Sequence, residues 1–97
     1  MDERDDAIAL VWDAANVSHL SRHGVTRLEV EQVLRNSPFD VEYQDVEGEP
    51  RWLSLGHTDA LRVLFIVWTL RGDAVRVATA YPASRTVRKT YFQQRGM

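Results

Sequence analysis

The pattern of apolar and polar positions in the second half of the chain predicts a β-hairpin. Residues 61–70 read LRVLFIVWTL, residues 71–73 read RGD, and residues 74–81 read AVRVATAY. Two apolar, β-branched and aromatic runs on either side of a glycine-containing turn are typical of paired antiparallel strands. The first run is almost entirely apolar, which favours a central strand covered on both faces.

The second strand of this hairpin carries a cation in its middle. Strict alternation predicts two sets of side chains on opposite faces, Val75, Val77 and Thr79 against Arg76, Ala78 and Ala80. A buried charge is costly unless it is paired. We therefore expect Arg76 either to meet a carboxylate or to face a site that binds anions.

The first half of the chain predicts a short strand and two helices. Residues 7–12 alternate as a strand does, and Asp13 is a suitable N-cap for a helix over residues 14–23 that Gly24 would end. A second helix is predicted from the capping-box spacing of a threonine and a glutamate, and it ends before a proline. Its limits are Thr26 and about Asn36, and its predicted inward residues are Leu28, Val30, Val33 and Leu34.

The remaining elements predict an α+β fold. Strands are expected over residues 39–44 and 51–55, separated by a turn at 47–50, and a turn at 57–60 leads into the hairpin. Ser84 suits the N-cap of a last helix that runs to about Gln94, with Val87 and Tyr91 on its inward side. The order β-α-α-β-β-β-β-α indicates helices packed on an antiparallel sheet.

Length and composition favour one small cytoplasmic domain. The chain has 97 residues, of which 44% are hydrophobic, and no cysteine. We expect a single domain over residues 1–97, with 1–6 disordered and 7–94 forming the folded core. The absence of cysteine excludes disulfides and thiolate metal sites and fits a reducing compartment. No apolar run approaches the roughly 20 residues of a membrane span.

Charge is divided unevenly along the chain. Residues 1–49 hold 4 basic and 12 acidic side chains, whereas residues 50–97 hold 8 basic and 2 acidic ones. Eleven of the twelve basic residues are arginine, which makes bidentate contacts with phosphate or carboxylate. The second half therefore suggests a nucleic acid or another acidic partner. The alternative is that the two halves neutralise each other within the fold.

A group of arginines is the main candidate for chemistry. If the curled sheet brings Arg51 and Arg76 near the start of the last helix, they form a cleft that can hold a phosphodiester and stabilise a five-coordinate phosphorus. The alternative is a set of surface ion pairs, each of which contributes little. The group consists of Arg51, Arg62, Arg76, Arg85 and Arg88.

The histidines allow more than one interpretation. Asn16, His19 and His23 share one face of the first helix. The two histidines have the spacing of metal ligands, with His57 as a possible third ligand. The alternative is hydrogen bonding to the backbone, and His23 suits either a loop contact or acid–base chemistry.

Two aromatic residues are candidates for stacking on a nucleobase. Trp52 follows Arg51, and Tyr81 ends the last strand. Packing in the core or at its rim is the alternative for Trp52. The sequence contains no Walker loop, GxGxxG motif, Ser-His-Asp spacing or acidic metal cluster, so nothing in it supports an ATP, dinucleotide or metal-hydrolase function.

Several blocks resemble the BrnT family of toxins. The opening blocks are residues 11–13, 16–26 and 29–31, which read VWD, NVSHLSRHGVT and EVE. Shorter blocks resemble the sheet and last helix of the same family, at residues 51–53, 55–58, 62–64, 76–80, 83–85, 88–89 and 91. The resemblance covers about residues 8–92.

The resemblance implies a RelE-like, microbial-ribonuclease-type fold with a curved antiparallel sheet, two N-terminal helices and one C-terminal helix. It implies a type II toxin that cleaves RNA, in particular mRNA, without a metal or other cofactor. The implied partners are RNA and a BrnA-like antitoxin with a ribbon-helix-helix part, so that DNA is reached only through the antitoxin. Such cleavage needs a base for the 2′-OH and cations for the phosphorane.

On this interpretation the site residues form two groups. The predicted catalytic residues are Arg51, Arg76 and Arg85 for phosphate charge, with His23 or Tyr91 for proton transfer. The predicted RNA-binding residues are Arg62, Arg88, Lys89, Trp52 and Tyr81.

Two positions depart from the family pattern. Tyr81 stands where an arginine is usual, and Val87 stands where a glutamate is usual. They favour an alternative function, a catalytically degenerate toxin-like domain that acts as a protein-binding module.

Overall fold

The computed structural model of the protein describes residues 9–97, which fold as a five-stranded sheet with helices on both faces. The predictions for residues 1–6, and for the first two residues of the predicted first strand, lie outside the described residues. The strands are β1 (Leu10–Val11), β2 (Phe39–Val46), β3 (Glu49–His57), β4 (Val63–Arg71) and β5 (Ala74–Pro82), and the helices are α1 (Ala14–Arg22), α2 (Arg27–Arg35) and α3 (Arg85–Arg95). This element order confirms the α+β class.

The sheet is mixed, which corrects the expectation of an antiparallel sheet. Its strand order is β1-β5-β4-β3-β2, so β4 of the predicted hairpin is the central strand. The other neighbours are antiparallel, but β1 runs parallel to β5, with Leu10 beside Val75 and Val11 beside Arg76. Parallel neighbours need a crossover connection, and here everything from α1 to β4 supplies it. No local pattern in β1 could reveal that pairing.

The helices begin where their capping residues predict. The Asp13 carboxylate accepts the Asn16 backbone N–H at 2.8 Å. Thr26 and Glu29 form the reciprocal capping box, with distances of 3.0 and 3.1 Å. The inward face of α2 was predicted with one error, because Leu28 is 57% exposed. None of the helices in residues 9–97 has the length and hydropathy needed to cross a membrane.

One sheet face, here called the α1–α2 face, carries the larger core. Its buried side chains are Leu20, Val25, Val30, Val33, Leu64, Ile66, Val77 and Ala80. At Gly56 of β3, a Cβ atom would lie 2.8 Å from Val33 Cγ1 and 2.9 Å from Pro38 Cβ. Helix α2 therefore packs directly on the backbone of β3 at this glycine.

The opposite face, here called the α3 face, is covered at one end. Tyr91 of α3 is buried with Leu55 and Val63, and Val87 packs against the same cluster, as predicted for the inward side of this helix. These contacts lie where β4 begins and β3 ends. The other end of this face, where β4 ends, carries the polar side chains of Arg51, Thr69 and Arg76.

A β-bulge changes which residues share a face. Val67 pairs with Thr79, but the next residue, Trp68, pairs with Val77, so Ala78 is left unpaired. The predicted alternation along β5 is therefore wrong beyond Val77. Ala80 joins Val77 in the core of the α1–α2 face. Thr79 and Tyr81 lie on the α3 face with Arg76.

Candidate functional site

The open end of the α3 face forms a hollow, here called the sheet hollow, with a volume of about 230 Å³. Side chains from β2, β3, β4 and β5 surround it, so its shape is set by strand register. The lining residues are Glu42, Gln44, Arg51, Trp52, Leu53, Val67 and Tyr81.

Two guanidinium groups share this face. Thr69 of β4 pairs with Arg76 of β5. On the opposite side of β4, Trp52 of β3 pairs with Trp68. The antiparallel register therefore places Arg51 of β3 beside Thr69 of β4. The Thr69 hydroxyl donates to the Pro50 carbonyl at 2.6 Å, which fastens β3 to β4 at this row. Two strand spacings separate the arginine backbones by about 10 Å, so both side chains can reach one phosphodiester.

Polar atoms near the hollow lack protein partners. Arg51 Nε lies 3.8 Å from a Glu49 carboxylate oxygen, beyond hydrogen-bond distance, and is buried without a hydrogen bond. The Thr79 hydroxyl is buried in the same condition. Among residues 9–97, no carboxylate forms an ion pair with Arg76. Buried hydrogen-bond donors without protein partners favour the binding of an anionic ligand.

A carboxylate that the sequence analysis did not select lies in the hollow. Glu42 lines it together with Arg51 and accepts a hydrogen bond from the Gln44 amide at 3.2 Å. A register shift between Asp40 and Glu42 sets its face, since Glu42 pairs with Leu53 after the shift. Alternation alone could not reveal this. A carboxylate in the same hollow as an arginine can exchange a proton beside a bound phosphate.

His23 lies near one of the residues that line the hollow. Its ring centroid is 6.2 Å from that of Tyr81, which lines the hollow and also packs on Phe65 at 5.4 Å. His19 stands 5.4 Å from His23. Asn16 is buried and donates to the Val77 carbonyl, which confirms the backbone hydrogen-bond interpretation for this residue. The structure thus brings Tyr81 to the same hollow as Arg51, and His23 lies near Tyr81.

Comparison with known proteins identifies the family. The model of the family described as "Ribonuclease toxin, BrnT, of type II toxin-antitoxin system" matches residues 12–86. The chain belongs to the BrnT family. This confirms the resemblance seen in the sequence. No curated protein matches the chain.

A solved BrnT structure has a similar fold. The crystal structure of the Brucella abortus ribonuclease toxin BrnT matches with a TM-score of 0.58 and 20% sequence identity. The match covers 80% of this chain and 99% of the Brucella chain. At this identity the likeness concerns the arrangement of helices and strands, not the roles of individual residues.

The three histidines do not form a metal site in this BrnT-family chain. His57 lies by α3, where its Nδ1 is 2.6 Å from the Tyr91 hydroxyl. No group of three potential ligands in residues 9–97 lies close enough to hold a metal ion, so the hypothesis of a shared site for His19, His23 and His57 is wrong.

Tyr91 is a core residue in this BrnT-family chain. Its ring packs on Phe39 with centroids 5.6 Å apart, and burial raises the pKa of its hydroxyl. Burial, with the Arg95 charge second, lowers the pKa of His57. The structure therefore places Tyr91 in a buried hydrogen-bonded pair, away from the sheet hollow.

The other arginines lie apart from the Arg51–Arg76 row. Four residues of strand separate Thr69 from Phe65, where α3 covers the sheet, a distance of roughly 13 Å. The residues that line the hollow include none from α3, and a cleft between Arg51, Arg76 and the start of the last helix stays a prediction. Arg85 begins α3 and is exposed, as are Arg88 and Lys89.

Two predicted RNA-binding residues have structural contacts. Arg62 donates to a Glu29 carboxylate oxygen at 2.9 Å and to the Gly24 carbonyl at 2.7 Å. Hydrogen bonds to Arg62 and Thr26 lower the pKa of Glu29, against the opposing effect of burial. Trp52 stacks on Trp68 with centroids 4.7 Å apart. The ring of Trp52 therefore packs within the protein, which is the alternative to stacking on a nucleobase.

Proposed function

We propose that this BrnT-family chain is an endoribonuclease toxin whose active site is the sheet hollow. The observation that supports this most directly is the placement of Arg51 and Arg76 on one open face, with Glu42 lining the same hollow as Arg51. Family membership supplies the reaction class. We propose mRNA as the substrate and a RelE-like, microbial-ribonuclease-type fold as the scaffold.

The proposed reaction is a metal-independent transesterification. The RNA 2′-oxygen attacks the adjacent phosphorus and forms a 2′,3′-cyclic phosphate, while the bond to the 5′-oxygen breaks. Glu42 takes the 2′-OH proton, and His23 gives a proton to the leaving oxygen. Arg51 and Arg76 stabilise the additional negative charge of the five-coordinate phosphorus.

Further residues would bind the parts of the RNA next to the cleaved bond. Tyr81 stacks on a base next to the cleaved bond, because it lines the hollow near the end of β5. Arg85, Arg88 and Lys89 follow the phosphate backbone from the exposed side of α3. Arg62 is held by Glu29 and acts on RNA only through the local shape of the α1–α2 turn.

The proposed protein partner is a cognate antitoxin. Membership of a type II toxin family implies one. We propose a BrnA-like protein with a ribbon-helix-helix part, so that the complex contacts DNA through the antitoxin alone.

Arginine variants test the function. We expect Arg51→Gln and Arg76→Gln each to lower kcat/KM for RNA cleavage by about 100-fold or more, since each removes a cation from the transition state. Arg35→Gln, an equal charge change at an exposed position of α2, is the matched control and keeps near-parental activity. EDTA leaves cleavage unchanged. Folded Arg51 and Arg76 variants as active as the parent would disprove the site.

The alternative function is a binding module without activity. Val87, which replaces the glutamate usual in the family, packs in the α3 core and offers no acid–base group. Under this alternative, the folded parent chain binds its antitoxin but produces no new RNA 5′ ends minutes after induction in a host. Discrete new ends with growth arrest would reject it.

A further inference from the structure

Strand β2 has an unpaired outer edge. It is the last strand of the sheet, and among residues 9–97 no strand pairs with its far side. All of its residues except the half-buried Phe39 are exposed. An edge of eight residues presents a row of backbone N–H and C=O groups that can pair with another strand.

Apolar side chains lie along this edge. Val41, Tyr43 and Val46 are 49%, 56% and 37% exposed, respectively. Beside Val41, a groove of about 290 Å³ opens between β2 and α3. Its walls are mostly apolar, with Phe39 and Leu55 on one side and Val87 on the other. An added strand next to β2 could place one apolar side chain in this groove.

The edge is strongly acidic. Residues 36–50 contain five carboxylates and no lysine or arginine. Within the described residues, this segment forms an ion pair between Glu49 and Arg51, and it is long at 3.8 Å. Clustered like charges repel one another unless cations arrive from elsewhere. The five residues are Asp40, Glu42, Asp45, Glu47 and Glu49.

We propose that the β2 edge binds an extended basic segment of a partner protein as a sixth strand, with an apolar side chain of that segment in the β2–α3 groove. Charge selects this occupant. A second copy paired through β2 would place two acidic strands side by side. Residues 1–8 of the same chain carry four carboxylates and one arginine, so they too would be repelled. The proposal does not depend on ribonuclease activity.

The test uses the full chain and a blocked eight-residue peptide that alternates lysine and valine. We expect titration to shift backbone amide NMR signals of β2 and of the groove residues, and to slow hydrogen exchange along β2. A peptide of the same sequence with every backbone nitrogen methylated keeps the charge but cannot pair as a strand. A peptide that alternates glutamate and valine reverses the charge.

Protein variants supply a matched comparison. The double variant Glu42→Lys/Asp45→Lys should weaken binding of the lysine peptide at least 10-fold and improve binding of the glutamate peptide. The variant Glu31→Lys/Asp73→Lys makes the same net charge change away from the edge and should retain most of the parental affinity. Circular dichroism checks that both variants fold.

Four results would overturn the proposal. Equal binding of the methylated peptide would show electrostatic attraction without strand pairing. Shifts centred outside β2 and the groove would place the site elsewhere. Protection of β2 amides that grows with protein concentration, without peptide, would identify a second copy as the occupant. If millimolar lysine peptide shifted no amide NMR signal, the β2 edge would not be a docking surface for a basic strand.

Discussion

The two faces of the sheet differ in what covers them. The α1–α2 face is closed by two capped helices and buries the side chains of Leu64 and Ile66 completely. The α3 face is closed at one end and carries Arg51, Thr69 and Arg76 at the other. The same central strand β4 serves both faces. One face therefore stabilises the sheet, while the open end of the other leaves room for a ligand.

Neighbouring residues of β4 make this comparison measurable. Ile66 faces the α1–α2 core and is completely buried, whereas Val67 faces the sheet hollow and is half-buried. We expect Ile66→Ala to reduce the free energy of unfolding by about 3–4 kcal/mol because of the lost contacts and the cavity it leaves. We expect Val67→Ala to cost about 1 kcal/mol. Urea denaturation measures both, and equal losses would contradict the distinction between the faces.

A buried hydrogen bond between α1 and β5 is expected to make the next largest contribution to the free energy of unfolding. Asn16 donates its side-chain amide to the Val77 carbonyl, beyond the short pairing with β1. We expect Asn16→Ala to reduce the free energy of unfolding by about 1–3 kcal/mol, because a buried carbonyl loses its donor. Ser18→Ala, on the exposed side of the same helix, is the control. If urea denaturation gives the two variants the same free energy of unfolding, the Asn16–Val77 hydrogen bond does not stabilise the packing of α1 on the sheet.

Sequence patterns predicted the closed face better than the open one. The capping box of Thr26 and Glu29, and the apolar central strand β4, are local signals that the structure confirms. The bulge beside Ala78 and the parallel pairing of β1 depend on contacts far apart in sequence. They were missed because strand propensity contains no information on register.

The candidate site shows the same limit. Arg76 is predicted as a site residue because an arginine in an apolar strand is unusual, and Arg51 because a group of arginines can form a phosphate-binding cleft. The two residues do share a face. Glu42 was missed because exposed acidic residues are common on an edge strand. Tyr91 was selected for its chemistry, but the structure places it in the core with His57.

The smallest expected effect is a pH dependence on the α3 face. Burial and Arg95 lower the pKa of His57, so the unfolded chain takes up a proton at a higher pH than the folded chain. Stability is therefore retained above about pH 6.5 and decreases as the pH falls below it. In its neutral form, His57 Nδ1 can accept the Tyr91 hydroxyl hydrogen.

A histidine substitution checks this sign. His57→Gln should flatten the decrease in melting temperature between pH 7 and pH 5. The same change at His19, on α1, should leave the decrease in place. A melting temperature that rises on acidification of the parent chain, or an unchanged slope in His57→Gln, would contradict the assignment.

The bulge at Ala78 makes the membership of the site depend on the number of residues in β5 as well as on their type. Deleting Ala78 would restore strict alternation, and Arg76 and Tyr81 would then lie on opposite faces. Arg76 and Tyr81 would then no longer share the α3 face, although neither had been replaced. In this chain, the set of side chains on the α3 face can therefore change by a single insertion or deletion in β5, with Arg51, Thr69 and Arg76 all preserved.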